Sequence, residues 1–455
     1  MVFQLRDYQK RAVQDCLDFI RKYPKGRAGL CVLPTAAGKS LCISELSHKL
    51  RQPVLALAPS KELVQQNYDK YMTYSNDAGI YSASLKRKEI GTVTFGTIGS
   101  VISAADKFRA IGVKVLIVDE AHIGSSSENK IYALCKKIGI QWVIGMTATP
   151  IILKTAFTGG AELRMMNRSR DSFFQEIFHV TQISELTSQG YWSKVNYMPV
   201  QGIKENMLRY NTTGKEFTEE SLKRFSEEND ILGKIKIAHQ QLKIRGRKKI
   251  LIFMPTVQES FDLSAIIAGS RVIHGGTKDT ERDFIVNDFM YGNTDTVINV
   301  NVLGTGFDFP LLDAGIHARP TNSASLWYQH VGRFVRIHKD KKDADLIDLS
   351  GNFKRFGMVE DFTFEDDHTH KWSMFSGNRK LTNVDLRFGR PEYKTVQKLA
   401  NKEYDSYFWP FGKHKGTEMS LLPKEYLKWV SSDDFQPTYS SAIQAKNRAI
   451  KFLSK

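Results

Sequence analysis

Seven consecutive residues, Pro34-Thr35-Ala36-Ala37-Gly38-Lys39-Ser40, end on glycine, lysine and a hydroxyl and follow a short apolar run. A buried strand, a tight loop and a helix start make a phosphate cradle, because loop N–H groups and the helix N-terminus turn toward anionic oxygens. Thr35, Ala36, Ala37 and Gly38 supply that loop. Lys39 can reach the β and γ phosphates, and the Ser40 hydroxyl can ligate Mg²⁺. Leu33 stands where the consensus has its first glycine. A Gly-Lys-Ser tripeptide also occurs by chance at helix starts, so the loop needs a partner.

The partner comes about 80 residues later, where an apolar run delivers Asp119-Glu120-Ala121-His122. Acids at the carboxyl end of a buried parallel strand lie where open α/β sheets bind ligands. Asp119 is placed to hold Mg²⁺, and Glu120 to orient and deprotonate an attacking water. An isolated acidic pair after a strand often only caps the next helix. In the second half, Gln329, Arg333 and Arg336 are spaced by four and three, which predicts one helix face. Arginines there can neutralise charge developing on a γ-phosphate. Alone, such a pair reads as solvated surface arginines. The three sites together read as a nucleotide hydrolase.

These groups need two parallel sheets to position them. Strand candidates recur at 29–33, 54–58, 92–95, 113–118 and 142–145, with amphipathic stretches at 8–20 and 62–71 between them, and the theme repeats at 248–253, 271–273, 296–300 and 344–349. Alternation of this kind predicts α/β architecture with two tandem RecA-like lobes and a small C-terminal accessory region. The expected limits are 1–200 for an ATP-binding lobe, 201–230 for a linker, 231–354 for a second lobe, and 355–455 for an accessory nucleic-acid-binding region with a module at 405–432. A loop is expected at 212–214, a helix at 231–242 and a loop at 361–377.

A 455-residue chain has ample surface to bury in two cores. Its formal charge of +16 is spread along the chain. That points to a polyanionic partner, although basic balance alone serves solubility as well. Cys16, Cys31, Cys42 and Cys135 show no C-x-x-C pairing, so reduced, partly buried thiols are expected and not a zinc ribbon. The absence of a leader-like start and of a long apolar run predicts a soluble, intracellular protein with no membrane contact.

With these pieces in order, the chain resembles the superfamily 2 helicases over about 350 residues. The resemblance implies that Gln9, with Arg6 and Tyr8, reads adenine, and that Ser60 and Lys61 in Ala58-Pro59-Ser60-Lys61-Glu62-Leu63 and Thr97 and Ser100 in Gly96-Thr97-Ile98-Gly99-Ser100 hold a strand backbone. It makes Asp119-Glu120-Ala121-His122 a DEAH form of the acidic motif, and Thr147-Ala148-Thr149-Pro150 a coupling element. In the second lobe, Thr256 of Ile252-Phe253-Met254-Pro255-Thr256 and Thr305 of Gly304-Thr305-Gly306-Phe307-Asp308 would touch nucleic acid, and Gly306 and Asp308 the nucleotide. His274-Gly275-Gly276 followed by Arg282 resembles a further family signature.

Within the superfamily, residues 185–191 and 348–352 look like those of RadD-type and phage UvsW-type helicases, which act on forked and branched DNA. The chain lacks the cysteine cluster of RadD-like proteins, which favours the phage type. Ala36 replaces the usual glycine, which is tolerable with a negative φ. The resemblance implies ATP and Mg²⁺ as cofactors, a monomer acting on single-stranded, forked or branched DNA, and replication or recombination proteins as partners.

The C-terminal run Trp409-Pro410-Phe411-Gly412-Lys413-His414-Lys415-Gly416 resembles a small module attached to DNA-processing enzymes. Lys413 and Lys415 would grip phosphate while Phe408, Trp409 and Phe411 stack on an unpaired base or duplex end; the same residues also suit a self-contained hairpin with aromatics in its own core. Three other readings stay open: an RNA helicase, since backbone-contacting motifs do not tell ribose from deoxyribose; the translocating subunit of a nuclease complex; and a nucleotide switch that does not hydrolyse.

Overall fold

The computed structural model describes residues 3–126, 128–155, 161–168, 172–304, 307–366, 371–382, 409, 414, 422, 424–437 and 440–453. Two sheets organise the first 350 residues. The first runs in the order Glu176–Val180, Arg27–Val32, Trp142–Thr147, Val115–Asp119, Val54–Leu57, Val93–Gly96, Ala78–Ser82 and Arg87–Lys88. All its neighbours are parallel except the last pair. Central strands are buried along almost their whole length, as expected when helices cover both faces.

The second sheet is wholly parallel, in the order Lys194–Pro199, Asp343–Asp348, Ala314–His317, Ile250–Phe253, Thr296–Asn299 and Arg271–Ile273. Every strand anticipated in the two halves is present, as are the helices Asp7–Lys22, Lys61–Tyr71 and Ile231–Ile244. Ala314–His317 was not singled out in the sequence. Four residues containing glycine and histidine carry little β signature, and the strand exists because it lies buried between two others.

Three expectations are corrected. Lys194–Pro199 lies inside the limits expected for the first lobe, yet it is hydrogen-bonded into the second sheet beside Asp343–Asp348. Its alternating burial marks an edge strand, and a local pattern does not say which sheet an edge strand joins. The expected linker contains the helix Glu219–Glu228, capped by Thr218 and packed through Leu222 and Phe225. Asn229 then ties that helix back to Lys204 through both backbone groups.

Most of the stretch expected to be loop at 361–377 forms strands. Phe362–Asp366, Trp372–Ser376 and Arg379–Lys380 make an antiparallel sheet in which Phe362 and Phe364 point inward. This small sheet bridges the lobes. Gln182 of the first lobe exchanges two hydrogen bonds with the Phe364 backbone, the Phe362 ring stacks on Tyr328 of the second, and Arg379 donates to the Arg355 carbonyl. One apolar core accordingly runs from the first lobe through Trp192, Trp327 and Tyr328 into the sheet. A second core fills the far face of the second lobe.

Toward the C-terminus, helices Lys424–Ser431 and Ser440–Leu453 enclose Trp409, Leu427 and Val430. Trp409 is fully buried and its indole N–H donates to the Tyr426 hydroxyl at 2.9 Å. Of the two roles left open for Trp409, base stacking and packing in its own module, burial selects the second. Phe408, Phe411, Lys413 and Lys415 lie outside the described residues. Cys16, Cys31 and Cys42 are buried free thiols and Cys135 is half-buried. Among the described residues no helix is long and apolar enough to cross a membrane.

The edge of the second sheet is pinned by charge. Asp345, fully buried, accepts from Arg247 and Arg245 at 2.8 and 2.7 Å and from Asn196 at 2.9 Å. Burial pushes this carboxyl up, but the three donors outweigh it and hold the group below the ordinary carboxylate range. Asp345→Ala should cost about 1–3 kcal/mol in urea unfolding at neutral pH, because Arg247 loses its buried partner and keeps only Asp343. A depressed folded pKa means the stabilisation is present above the unfolded value of about 3.9 and is lost as pH falls through the folded value. The difference between variant and wild type should shrink on acidification.

Candidate active site between the two lobes

Strand Arg27–Val32 ends in a loop that turns into helix Lys39–Leu50. Two of its residues adopt left-handed backbone, Gly38 at φ +77° and Ala36 at φ +63°. Ala36 therefore lacks the negative φ under which alanine would sit there without strain. Alanine there costs roughly 1–2 kcal/mol, and the surrounding bonds must offset it. The Tyr8 hydroxyl and Gln9 Nε2 both donate to the Ala37 carbonyl, at 3.1 and 2.7 Å. Thr35 N–H donates to the Tyr328 hydroxyl at 3.1 Å, and Trp192 Nε1 donates to the Thr35 carbonyl at 3.0 Å. A Cβ on Gly38 would meet Gln9 Nε2 at 2.5 Å, so only glycine fits beneath that amide.

Arg6 caps the first helix, with its backbone N–H on Gln9 Oε1, and its guanidinium lies 3.7 Å above the Tyr191 ring. Gln9 is buried, and its amide braces the loop from behind through the Ala37 carbonyl.

The acids sit at the end of strand Val115–Asp119. Asp119 accepts from the Glu120 N–H and from Asn67 Nδ2, each at 2.9 Å, and burial raises its carboxyl to about 6. Glu120 has a left-handed φ of +47°, a strain typical of functional positions. Its carboxylate is 3.2 Å from Lys39 Nζ and 3.5 Å from His122 Nδ1. Burial pushes the Glu120 carboxyl up, but Lys39 and His122 outweigh it and hold the group below its usual range. Glu120 is therefore ionised and able to take a proton.

His122 joins the lobes. Burial lowers its pKa and keeps it neutral at neutral pH. Gln329 Nε2 donates to His122 Nε2 at 2.6 Å, which puts the ring proton on Nδ1, donating to Thr147 Oγ1 at 2.8 Å. Thr147 Oγ1 also accepts the Thr149 N–H.

Helix Ala324–Val331 stops before the arginines, with Gly332 at its C-cap. The single helix face expected for Gln329, Arg333 and Arg336 is corrected: Gln329 is helical and the arginines follow on a turn. The turn is closed by the N–H groups of Arg333 and Phe334, which bond three residues back to His330 and Val331, and it lies close against the loop, since a Cβ on Gly332 would be 2.5 Å from Thr35 Cγ2. The three side chains still converge on one cleft. Arg333 donates to the carbonyls of Phe307 and Gly304; Arg336 donates to Phe307 O at 2.6 Å and pairs with Asp308 at 2.9 Å. Burial draws the Arg333 guanidinium down to about 9, still charged at neutral pH. Thr305 and Gly306 lie outside the described residues.

A cleft of about 280 Å³ is lined by Arg6, Thr35, Ala36, Gly38, Lys39, Ser40, Asp119 and Glu120 from one side and by Asp308, Gln329, Arg333 and Arg336 from the other. Tyr191, Trp192 and Tyr328 were not singled out as site residues. Lone aromatics in a sequence look like core, and only their contacts with Arg6 and Thr35 reveal the difference.

The candidate strand contacts lie elsewhere. Ser60 and Thr256 cap the helices Lys61–Tyr71 and Val257–Ile266, accepting the N–H groups of Leu63 and Glu259. Thr97 donates to Ser100, which also accepts the Ala83 N–H. Lys61 pairs with Asp279, and Arg282 with Glu62, across the lobes; Arg282 also pairs with Asp279 on its own helix. A larger cleft of about 970 Å³, lined by Ser60, Lys61, Arg282 and Asn301, runs beside them.

The sequence profile described as "Type III restriction enzyme, res subunit" matches residues 2–152, and that described as "Helicase conserved C-terminal domain" matches 233–338. The chain carries two tandem RecA-like helicase domains. A third profile, "Putative quorum-sensing-regulated virulence factor", matches 394–439 of this helicase. Among curated proteins it is 26% identical over 367 residues to "Putative ATP-dependent helicase IRC3" of Saccharomyces cerevisiae, covering 76% of this chain and 51% of that protein. It is 25% identical over 417 residues to the "51.5 kDa protein" of a Lactococcus phage, covering 87% and 82%. Against "DNA 3'-5' translocase XPB2" of Sulfurisphaera tokodaii the identity is 23% over 376 residues, covering 76% and 81%. The chain thus spans about half the length of the yeast relative.

Of solved structures, the type ISP restriction-modification enzyme LlaBIII bound to DNA superposes with a TM-score of 0.55 at 18% identity, over 77% of this chain and 28% of that one. A variant of S. cerevisiae Dbp5 bound to RNA and ADP BeF3 gives 0.51 at 16%, over 76% and 83%. Both show the tandem-lobe fold.

Ala36→Gly should raise stability by about 1 kcal/mol in chemical denaturation, because the left-handed backbone no longer opposes a Cβ. Lys39→Ala should abolish turnover. Glu120→Gln should bind nucleotide near wild-type affinity and hydrolyse it at least ~10²-fold more slowly, measured with a fluorescent analogue and by phosphate release. Near-normal turnover in Glu120→Gln would remove this residue as the base.

Proposed function

We propose that the chain is a nucleic-acid-stimulated ATPase that moves along DNA and remodels forked or branched DNA during replication, recombination or repair. The observation that carries the reading is the composite cleft. Lys39, Ser40, Asp119 and Glu120 come from one lobe and Asp308, Gln329, Arg333 and Arg336 from the other, so hydrolysis requires the lobes to be together. Ser40 and Asp119 are hard oxygen donors suited to Mg²⁺, and the buried Oδ1 of Asn67 beside Asp119 has no hydrogen-bond partner. When bound, Mg²⁺ would supply charge neutralisation on the phosphates.

Around it, Lys39 binds phosphate, Glu120 takes a proton from the attacking water, and Arg333 and Arg336 stabilise developing charge. Gln329 and His122 hold the two lobes in register. Ser60, Lys61, Thr97, Ser100, Thr256 and Thr305 are proposed to contact the strand, with Gly306 and Asp308 on the nucleotide and Lys413 and Lys415 on phosphate in the C-terminal module. The charge of +16 suits a polyanionic track. DNA is favoured by the DNA named with the LlaBIII structure and the translocase named among the relatives; the phage relative suits action in a bacterial or phage-infected cytoplasm.

A second reading, the motor subunit of a restriction complex, is favoured by the profile over residues 2–152. The tests are kinetic. Basal ATPase should rise at least ~10-fold on DNA and respond more to forks or four-way junctions than to linear duplex of equal length, whereas matched RNA should stimulate less. Preferential stimulation by RNA would overturn the choice of substrate. Arg336→Ala should lower kcat by about 10³-fold with little change in DNA affinity, since its role is in the transition state.

A further inference from the structure

The Lys61–Tyr71 helix turns an apolar stripe inward, and Leu63, Val64 and Tyr71 of that stripe are buried. Asn67 stands among them at the same helical spacing and is only 1% exposed. A leucine would satisfy that position by packing alone. The amide is instead spent on one group: Nδ2 donates to Asp119 Oδ2 at 2.9 Å. Asp119 Oδ1 is held by the Glu120 N–H at the same distance. Each oxygen of the carboxylate thus has one fixed donor, and only one of the two donors is a side chain. The other half of the amide is unspent, since Asn67 Oδ1 is buried without a hydrogen-bond partner. A buried carbonyl of that kind is costly unless something at the site uses it.

We propose that Asn67 is a positioning residue for the metal-holding carboxylate of Asp119, aiming it through Nδ2 and offering Oδ1 as an acceptor to water around the cation. The inference rests on reading Asp119 as a Mg²⁺ holder. Side chains that orient metal-binding groups set affinity almost as strongly as the ligands themselves. Asn67 also sits two turns along the helix whose start presents Ser60 and Lys61, so the carboxylate is braced from the element assigned to the nucleic-acid strand.

The test uses the full chain and two readouts: binding of a fluorescent ATP analogue in EDTA and across a Mg²⁺ titration, and ATPase rate against Mg²⁺ at saturating ATP. Asn67→Leu keeps the branched shape, with somewhat greater bulk, and removes both amide functions. It should bind nucleotide in EDTA as wild type does, while the Mg²⁺ concentration for half-maximal effect rises about 10-fold or more in both assays. Val64→Ala perturbs packing on the same helix and should leave the Mg²⁺ requirement unchanged. Asn67→Ser retains one small donor and should shift the requirement less than Asn67→Leu, and it carries the comparison if Asn67→Leu does not fold. A wild-type Mg²⁺ requirement in Asn67→Leu, or the same shift in Val64→Ala, would overturn the proposal. Asp119→Ala separates the two levels: if it too left the Mg²⁺ requirement unchanged, the metal role of Asp119 itself would fall.

Discussion

The structure depends on the backbone of one residue, Thr35. Its N–H is bound by Tyr328 of the second lobe and its carbonyl by Trp192, which lies just before the strand Lys194–Pro199. Gly332 presses against its methyl group. The loop proposed to cradle phosphate is therefore shaped from both lobes, and a shift of the second lobe alters the loop's backbone. The same Tyr328 ring stacks on Phe362, so the small sheet beyond the motor is in mechanical contact with the nucleotide site through a single side chain.

Around that junction most charges are paired. Lys39 faces Glu120 and Arg336 faces Asp308, while Arg333 donates to two carbonyls and its Nε is buried without a partner. Burying unpaired charge in such a cleft would cost several kcal/mol per group. The arrangement leaves Asp119 and Glu120 with opposite tendencies: burial raises the first, while its cationic neighbours lower the second. Adjacent carboxyls pushed apart in this way can divide the work, one toward a metal and one toward a proton. The cross-lobe chain from Gln329 through His122 to Thr147 ties that division to lobe contact.

The nucleotide half of the site was readable because its chemistry is local. A cradle needs its glycine, lysine and hydroxyl within a few residues, and the acids must directly follow a strand. The small sheet at 362–380 was not readable in the same way, since its charged and aromatic residues alternate over strands too short to outweigh a loop composition. The module at the C-terminus shows the reverse difficulty. Trp409 among lysines and a histidine suits a stacking platform equally well as a core, and burial against Tyr426 and Leu427 assigns it to the core.

The sequence by itself determined the paired α/β lobes, the phosphate loop, the acidic pair and the arginines that oppose them, because each is set by spacing along one strand, loop or helix. The tertiary structure alone decided that Lys194–Pro199 joins the second sheet, that Ala36 takes a left-handed backbone, that Arg333 and Arg336 leave the helix, and that Asn67, Tyr191, Trp192 and Tyr328 belong to the site. All of these rest on contacts between residues far apart in the chain. An edge strand, a strained φ or a buried amide has no local signature, since what stabilises it is a partner that only folding brings near.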